Sequence, residues 1–253
     1  MDHSELSPRG NDPLLVKKVA SAIYQVQIDA ARKQVESTEF NLAEMKRVME
    51  IAASESDRAA AILLFSYAED MMLEGIKRNV NHDFKGGFDS LVSPNGLLAT
   101  AHDRVTFLAA LRWIQKSTYS SLTLLRGIRN RFAHNVSCDS FSDVSVAGMV
   151  TSMPDFERPL IQQTELRFHN HRQKFLVRAI LSVYRLIYDI SILPHAIANQ
   201  VEPRDVTGGY DNGPANLREL GLTVADCILI ILSKVDKIPP GSTSTDETKT
   251  DVP

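Results

Sequence analysis

Apolar residues recur at helical spacing along most of the chain, and nowhere do they alternate strictly with polar ones. Val16, Val19, Ile23, Val26 and Ala30 follow one another at three- and four-residue intervals, the pattern of a helix with one apolar stripe. Pro13 suits a first helical position, where its missing N–H is not needed. Residues 14–53 contain neither Gly nor Pro and read as one long helix or two, with a break near Ser37-Thr38. Ser56-Asp57 is a helix start signal, and Arg58 to Val80 follows as a strong helix. Its Ala61, Leu64, Phe65, Ala68, Met72 and Ile76 form an apolar face expected at the centre of the fold. Asn81 to Gly87 is a turn region with Gly86-Gly87 as breaker, and Ser93-Pro94-Asn95-Gly96 is a second irregular stretch. Helix is predicted again over Ala101–Ile114, with Val105, Leu108 and Leu111 inward, and a break over Ser117–Ser121.

The next predicted helix, Ser121 to His134, carries Arg129-Asn130-Arg131-Phe132-Ala133-His134. Beyond it the chain is polar to about Asp143, and a short helix is expected over Val144–Met149. Pro154 and Pro159 bracket a loop. A long helix is predicted over 163–192, with Phe175, Ile180, Leu181, Tyr184 and Ile187 on its buried side, and Pro194 ends or kinks it. Residues 199–215 are turn-rich, and a last apolar helix spans Thr223–Val235. Pro239 to Pro253 has no core-forming residues and reads as a disordered tail. The organisation is a flexible tail (1–12), an N-terminal helical arm (13–53), a main helical domain (56–198), a turn-rich segment with a C-terminal helix (199–237) and the tail (238–253). The fold class is all-α, an up-and-down helical bundle with a long N-terminal helical arm.

Composition narrows the function. Of 253 residues, 43% are hydrophobic, enough for a sizeable core, and the net charge of −3 gives no basic excess. Duplex DNA binders carry such an excess, and there is no helix-turn-helix with a basic recognition helix. Direct readout of duplex DNA is therefore not expected. Cys138 and Cys227 belong to no CxxC pair and read as free thiols of a reducing compartment. Met1–Pro13 lacks a signal peptide's apolar core, and the longest apolar run, Cys227–Leu232, is too short to span a bilayer. A cytoplasmic protein without a membrane role is expected. No phosphate-binding or dinucleotide fingerprint and no nucleophile elbow occurs, so no cofactor is expected. His169 and His171 stand two apart on a predicted helix and point to different faces, so no metal site is expected either.

The helix over 121–134 holds the candidate chemistry. At about 100° per residue, Leu122, Leu125, Ile128 and Phe132 share one face. Arg126, Asn130, Ala133 and His134 lie on the other, with Arg129 at the border. Asn130 stacks one turn from His134 and Arg126 one turn from Asn130. The plain account is a solvated amphipathic helix whose His favours the C-terminal end of the dipole. The alternative is a site. Arg129 is a planar cation suited to phosphate, and a histidine such as His134 can act as acid or base. RNA cleavage without a metal needs a base near the 2′-hydroxyl and a donor to the crowded phosphate. Two such helices across a two-fold axis would face one groove. Glu69 or Asp70 could face Arg129 or His134 and orient it, the alternative being a surface carboxylate. Arg131 adds a further cation, and Lys77-Arg78, Arg167 and Arg172 could widen a basic groove.

At these residues the chain resembles known families. "LLRGIRNRFAHN" is similar to the "IRNxFAH" signature of the mannitol-operon-repressor (MtlR-like) family. "SDRAAAILLFSYAEDMML" (56–73), "LVSPNGLLATAHDRVTFLAALRWI" (91–114), "SFSDVSV" (140–146) and "RQKFLVRAILSVY" (172–184) resemble further stretches of that family in the same order. The resemblance covers about residues 56–193; the arm and the last helix lie outside it. The Arg, four residues, His spacing also resembles the HEPN superfamily of helical proteins, many of them endoribonucleases. That resemblance implies an active site at Arg129, Asn130 and His134 and a homodimer. Arg126, Arg131, Glu69 and Asp70 are the accompanying binding candidates. The expected function is a regulatory or interaction protein with an RNA or protein partner, acting through this polar site. The alternatives are a metal-independent endoribonuclease, with His134 in proton transfer and Arg129 on phosphate, and a structural module without an active site.

Overall fold

The computed structural model describes residues 13–83, 86–158, 161–162 and 168–235. The expected tails, Pro159 and Arg167 lie outside them. Every regular element among the described residues is a helix: α1 (Pro13–Glu36), α2 (Leu42–Ser54), α3 (Asp57–Asn79), α4 (Gly87–Val92), α5 (Ala101–Ala110), α6 (Lys116–His134), α7 (Val144–Ser152), α8 (His171–Ala198), α9 (Pro203–Thr207), α10 (Gly209–Asn212) and α11 (Ala215–Val235). The protein is all-α. No helix among these residues is long and apolar enough to cross a membrane.

The bundle is organised on α3 and α8, which lie side by side and run parallel. Asp57 and Arg172 pair at their first turns, and Asn79, at the end of α3, donates to the Ile190 carbonyl at 3.2 Å. α6 runs against both: Phe132, near its end, meets Arg58, and Thr118, near its start, donates to Asp189 at 2.6 Å. α2 and α11 cover the other side. They run parallel, since Asn216 donates to the Thr38 carbonyl at 2.8 Å and Lys234 to the Glu50 carbonyl at 3.1 Å. Arg172 donates to the Ala53 carbonyl at 3.2 Å, so α2 ends where α8 begins. Direction thus alternates along α2, α3, α6, α8 and α11, the up-and-down order. Met45 and Met49 of α2, Leu64, Phe65, Met72 and Ile76 of α3, and Leu122, Leu125, Ile128 and Phe132 of α6 fill one core with Phe175 and Ile180 of α8.

Besides α8 beginning at His171 rather than at 163 (residues 163–167 lie outside the described ones) and α11 beginning at Ala215 rather than Thr223, four sequence expectations change. α5 stops at Ala110 because Arg112 takes a left-handed conformation (φ 58°). The turn leaves Leu111 40% exposed and brings Ile114 inward at 5%. α6 starts at Lys116, so there is no break over Ser117–Ser121. Gln115, at its N-cap, makes no side-chain cap; instead Asp189 accepts from the Gln115 N–H at 3.0 Å and from Thr118. α8 continues through Pro194 to Ala198. Proline cannot donate to the carbonyl four residues back, and the Asn79 side chain supplies the missing donor to Ile190. A Cβ on Gly75 would lie 2.1 Å from the Ile190 side chain, so glycine there is what lets α3 and α8 come this close.

The fourth concerns α1. Its row Val19, Ile23 and Val26 faces solvent, at 51%, 57% and 68% exposure. The side that meets the body carries Ile28, Ala31 and Val35, packed with Ile192, Ala196, Val206 and Leu217 in a second, smaller core.

Candidate functional site

The site helix α6 is fixed by side chains from elsewhere in the fold. At its start stands Asp189, whose carboxyl is pushed above the usual range by burial, opposed by the Gln115 N–H, the Thr118 hydroxyl and the Arg185 charge. Along its length the Ser121 and Ser182 hydroxyls meet in the α6–α8 seam. At its end the Arg58 guanidinium donates to the carbonyls of Phe132, Asn135 (3.1 Å), Val136 (3.0 Å) and Cys138 (2.7 Å). A helix leaves its last carbonyls unpaired, and this one cation takes that of Phe132 together with three from the C-cap and the following loop. The loop is tied further where the Phe141 N–H donates to Asp57 at 2.7 Å. Phe141 itself lies edge-on to Phe132 (5.2 Å) and stacked on Phe175 (4.0 Å).

With one face so anchored, the other is free. Arg126, Arg129 and Asn130 are half-buried, and Arg131 and His134 are exposed. Among the described residues, neither Arg126, Arg131 nor His134 hydrogen-bonds or ion-pairs through its side chain. Arg129 Nη1 donates to Asn130 Oδ1 at 3.1 Å, and Arg129 Nε is buried without a partner. Beside this helix α7 forms the second wall of an open cleft of about 390 Å³, lined by Gly127, Asn130, Arg131, His134, Asn135 and Met149. A Cβ at Gly127 would fall 2.4 Å from the Met149 methyl, so the glycine leaves room for that methyl in the cleft.

The two acidic candidates separate. Glu69 lies 3.5 Å from Arg104 of α5. Burial pushes its carboxyl above the usual range, and the charges of Arg104 and Arg129 pull it back. Arg104 is held in turn by the Leu98 and Ala99 carbonyls, at 3.0 and 3.2 Å. Asp70 is exposed and lines a shallow surface hollow with Asn41, Glu44 and Tyr67. Arg58 and Arg104 were not singled out from the sequence. No spacing marks residues so distant in the chain as neighbours of 129 and 132.

The other basic candidates serve the fold or lie apart. Arg172 pairs with Asp57 and donates to the Ala52, Ala53 and Glu55 carbonyls. Lys77 and Arg78 are exposed at the far end of α3. His169 precedes α8, whose N-cap is Asn170, accepting from the Gln173 N–H at 2.8 Å. Among the described residues no group of three or more His, Cys, Asp or Glu is arranged to hold a metal ion. Cys138 and Cys227 are buried free thiols, and burial pushes Cys227 up to about 11.

The chemistry available is recognition of negative charge by cations that stay hydrated and accessible, with one imidazole at the rim. The class that fold and site define is an all-α bundle with a polar, cationic helix face beside an open cleft. Comparison with protein-family models, curated proteins and solved structures gives no significant match.

Proposed function

We propose that this is a regulatory interaction protein that binds an anionic partner through the outward face of α6, and that the mannitol-repressor-like and HEPN-like resemblance of this helix reflects that use. One observation carries the reading. Arg126, Arg131 and His134 make no side-chain hydrogen bond or ion pair among the described residues, while Arg58, Arg104, Arg172 and Arg178 are tied to carbonyls. A guanidinium presents a planar fork of donors to phosphate or carboxylate, and an open cleft suits an extended chain better than an enclosed small molecule. RNA is the partner class to test first. The test is an anisotropy titration of labelled single-stranded and hairpin RNAs with wild type, Arg126→Ala and Arg131→Ala. Salt-dependent binding that weakens in both variants supports the reading; equal binding by all three, or none across the panel, removes it and leaves the helix a structural element.

A second reading is metal-independent RNA cleavage. It is favoured by the buried, uncommitted Nε of Arg129 beside Asn130, with His134 one turn further. Incubating the same RNAs in EDTA with wild type, Arg129→Ala and His134→Ala decides it. Cleavage lost in both variants supports catalysis, and uncut RNA throughout, or equal cutting by all three, sinks it.

A further inference from the structure

Two adjoining hollows lie between α8 and the turn-rich segment that follows it. The larger, about 400 Å³, is polar: Arg185, Asp189, Glu202 and Arg204 line it, together with Gln115 at the start of α6, the end opposite His134. The smaller, about 210 Å³, is mostly apolar, with Tyr184, Pro214 and Leu217 among its walls and Arg218 beside them. Tyr188 and Thr207 line both, so the hollows meet along these two residues. An apolar, aromatic recess next to a few placed charges is the usual composition of a small-molecule site.

The charged groups select the ligand. Arg58, Arg104 and Arg172 each donate to two or more carbonyls. Arg185 is held far more lightly. Among the described residues its one hydrogen bond goes to Asp189 Oδ1, at 3.4 Å, and its Nε is buried without a partner. Its guanidinium lies over the Tyr188 ring, 5.4 Å from the centroid, and Tyr184 stands 5.8 Å from Tyr188, tilted by 47°. Cation and aromatic surface are thus side by side. Arg204 is 84% exposed, and its ion pair with Asp205 spans 3.9 Å, an exposed contact that contributes little. Two guanidiniums from two elements therefore keep donors to spare at one hollow. Asp189 and Glu202 line the same hollow, so a doubly charged phosphate would be set against carboxyl groups. A singly charged carboxylate meets less repulsion and matches the guanidinium fork. Tyrosine rings favour an aromatic group beside them. We propose that the double hollow binds a small aromatic carboxylate, its charge on Arg185 and Arg204 and its ring against Tyr184 and Tyr188. The inference does not depend on what α6 binds.

The test is saturation-transfer NMR and calorimetry on the full chain, with phenylpropionate and indoleacetate as probes. Both acids should bind. Their primary amides, which lack the charge, and acetate, which lacks the ring, should bind about tenfold or more weakly. Arg185→Ala and Arg204→Ala should each weaken the acids by about tenfold, and Tyr188→Leu should weaken them too. Arg204 is exposed, so circular dichroism and melting of Arg204→Ala should match wild type, which keeps the test open if Arg185→Ala folds poorly. No binding of either acid at millimolar concentration, amides that bind as well as the acids, or full affinity in Arg204→Ala would overturn the proposal. Tighter binding of phenyl phosphate than of phenylpropionate would overturn it as well, since the wall carboxyls would then select nothing.

Discussion

Two sets of arginines among the described residues use the same side chain in opposite ways. Inside the bundle, Arg58, Arg172 and Arg178 each close the open end of a helix. Arg58 gathers carbonyls at and beyond the end of α6, Arg172 those at the end of α2, and Arg178 those of Val150 and Thr151 in the last turn of α7 and of Met153 just after it, at 2.8, 2.9 and 3.0 Å. Each sits where the helix dipole favours a cation, and a carboxylate completes two of the three, Asp57 for Arg172 and Glu157 for Arg178. On the outward face of α6, Arg126 and Arg131 close nothing. A buried cation must be fully paired or the fold pays in desolvation, whereas a hydrated one can stay available. The comparison separates side chains that hold the helix in place from those that the helix presents.

That division can be broken by mutation. The largest effect is expected at Arg178→Ala, which leaves the Glu157 carboxylate, 2% exposed, without its cation. Stability should fall by about 3–5 kcal/mol in urea denaturation. Arg58→Ala should cost about 2–3 kcal/mol and raise hydrogen exchange over the last turn of α6. If it melts like wild type, the clamp does not hold that turn.

Asp189 gives a pH-dependent contrast. Its folded carboxyl titrates above the usual range, chiefly through burial. The native state therefore holds this proton more tightly than the unfolded chain. The group favours folding below the ordinary aspartate pKa, and that contribution is lost as pH rises through the raised value. Asp189→Asn removes this loss, so its stability relative to wild type should improve over the range that runs upward from the ordinary aspartate pKa of about 3.9. A constant offset across that range would show that burial of this charge does not matter.

A smaller effect belongs to Asn79. Asn79→Ala leaves the Ile190 carbonyl without a donor and should cost about 1 kcal/mol. In a Pro194→Ala background residue 194 regains its own N–H, and the Asn79 cost should shrink. Additive costs in that cycle would separate the two residues.

The sequence made legible what local pattern determines. The apolar face of α3 and the row Leu122, Leu125, Ile128 and Phe132 are buried as their spacing predicts, and the Ser56 cap stands one residue before α3, accepting from the Ala59 N–H at 3.2 Å. Features supplied from a distance were not legible. The first turn of α6 reads as a break because Lys116–Ser121 has weak helix formers, and its cap lies on α8. Pro194 reads as a stop because the Asn79 amide that replaces its N–H comes from α3. In the site, the outward placement of Arg126, Asn130 and His134 follows from helical period, while the closeness of Glu69 and Arg104 to Arg129 depends on how α3, α5 and α6 pack. Spacing alone also could not say which row of α1 meets the body, because both rows have helical period.

The most direct measurement of the central claim pairs melting temperature with RNA affinity for Arg126→Ala and Arg131→Ala. The account predicts stability within about 0.5 kcal/mol of wild type and clearly weaker, less salt-dependent binding. Variants that lose stability as Arg58→Ala does, or that keep full affinity, would contradict it.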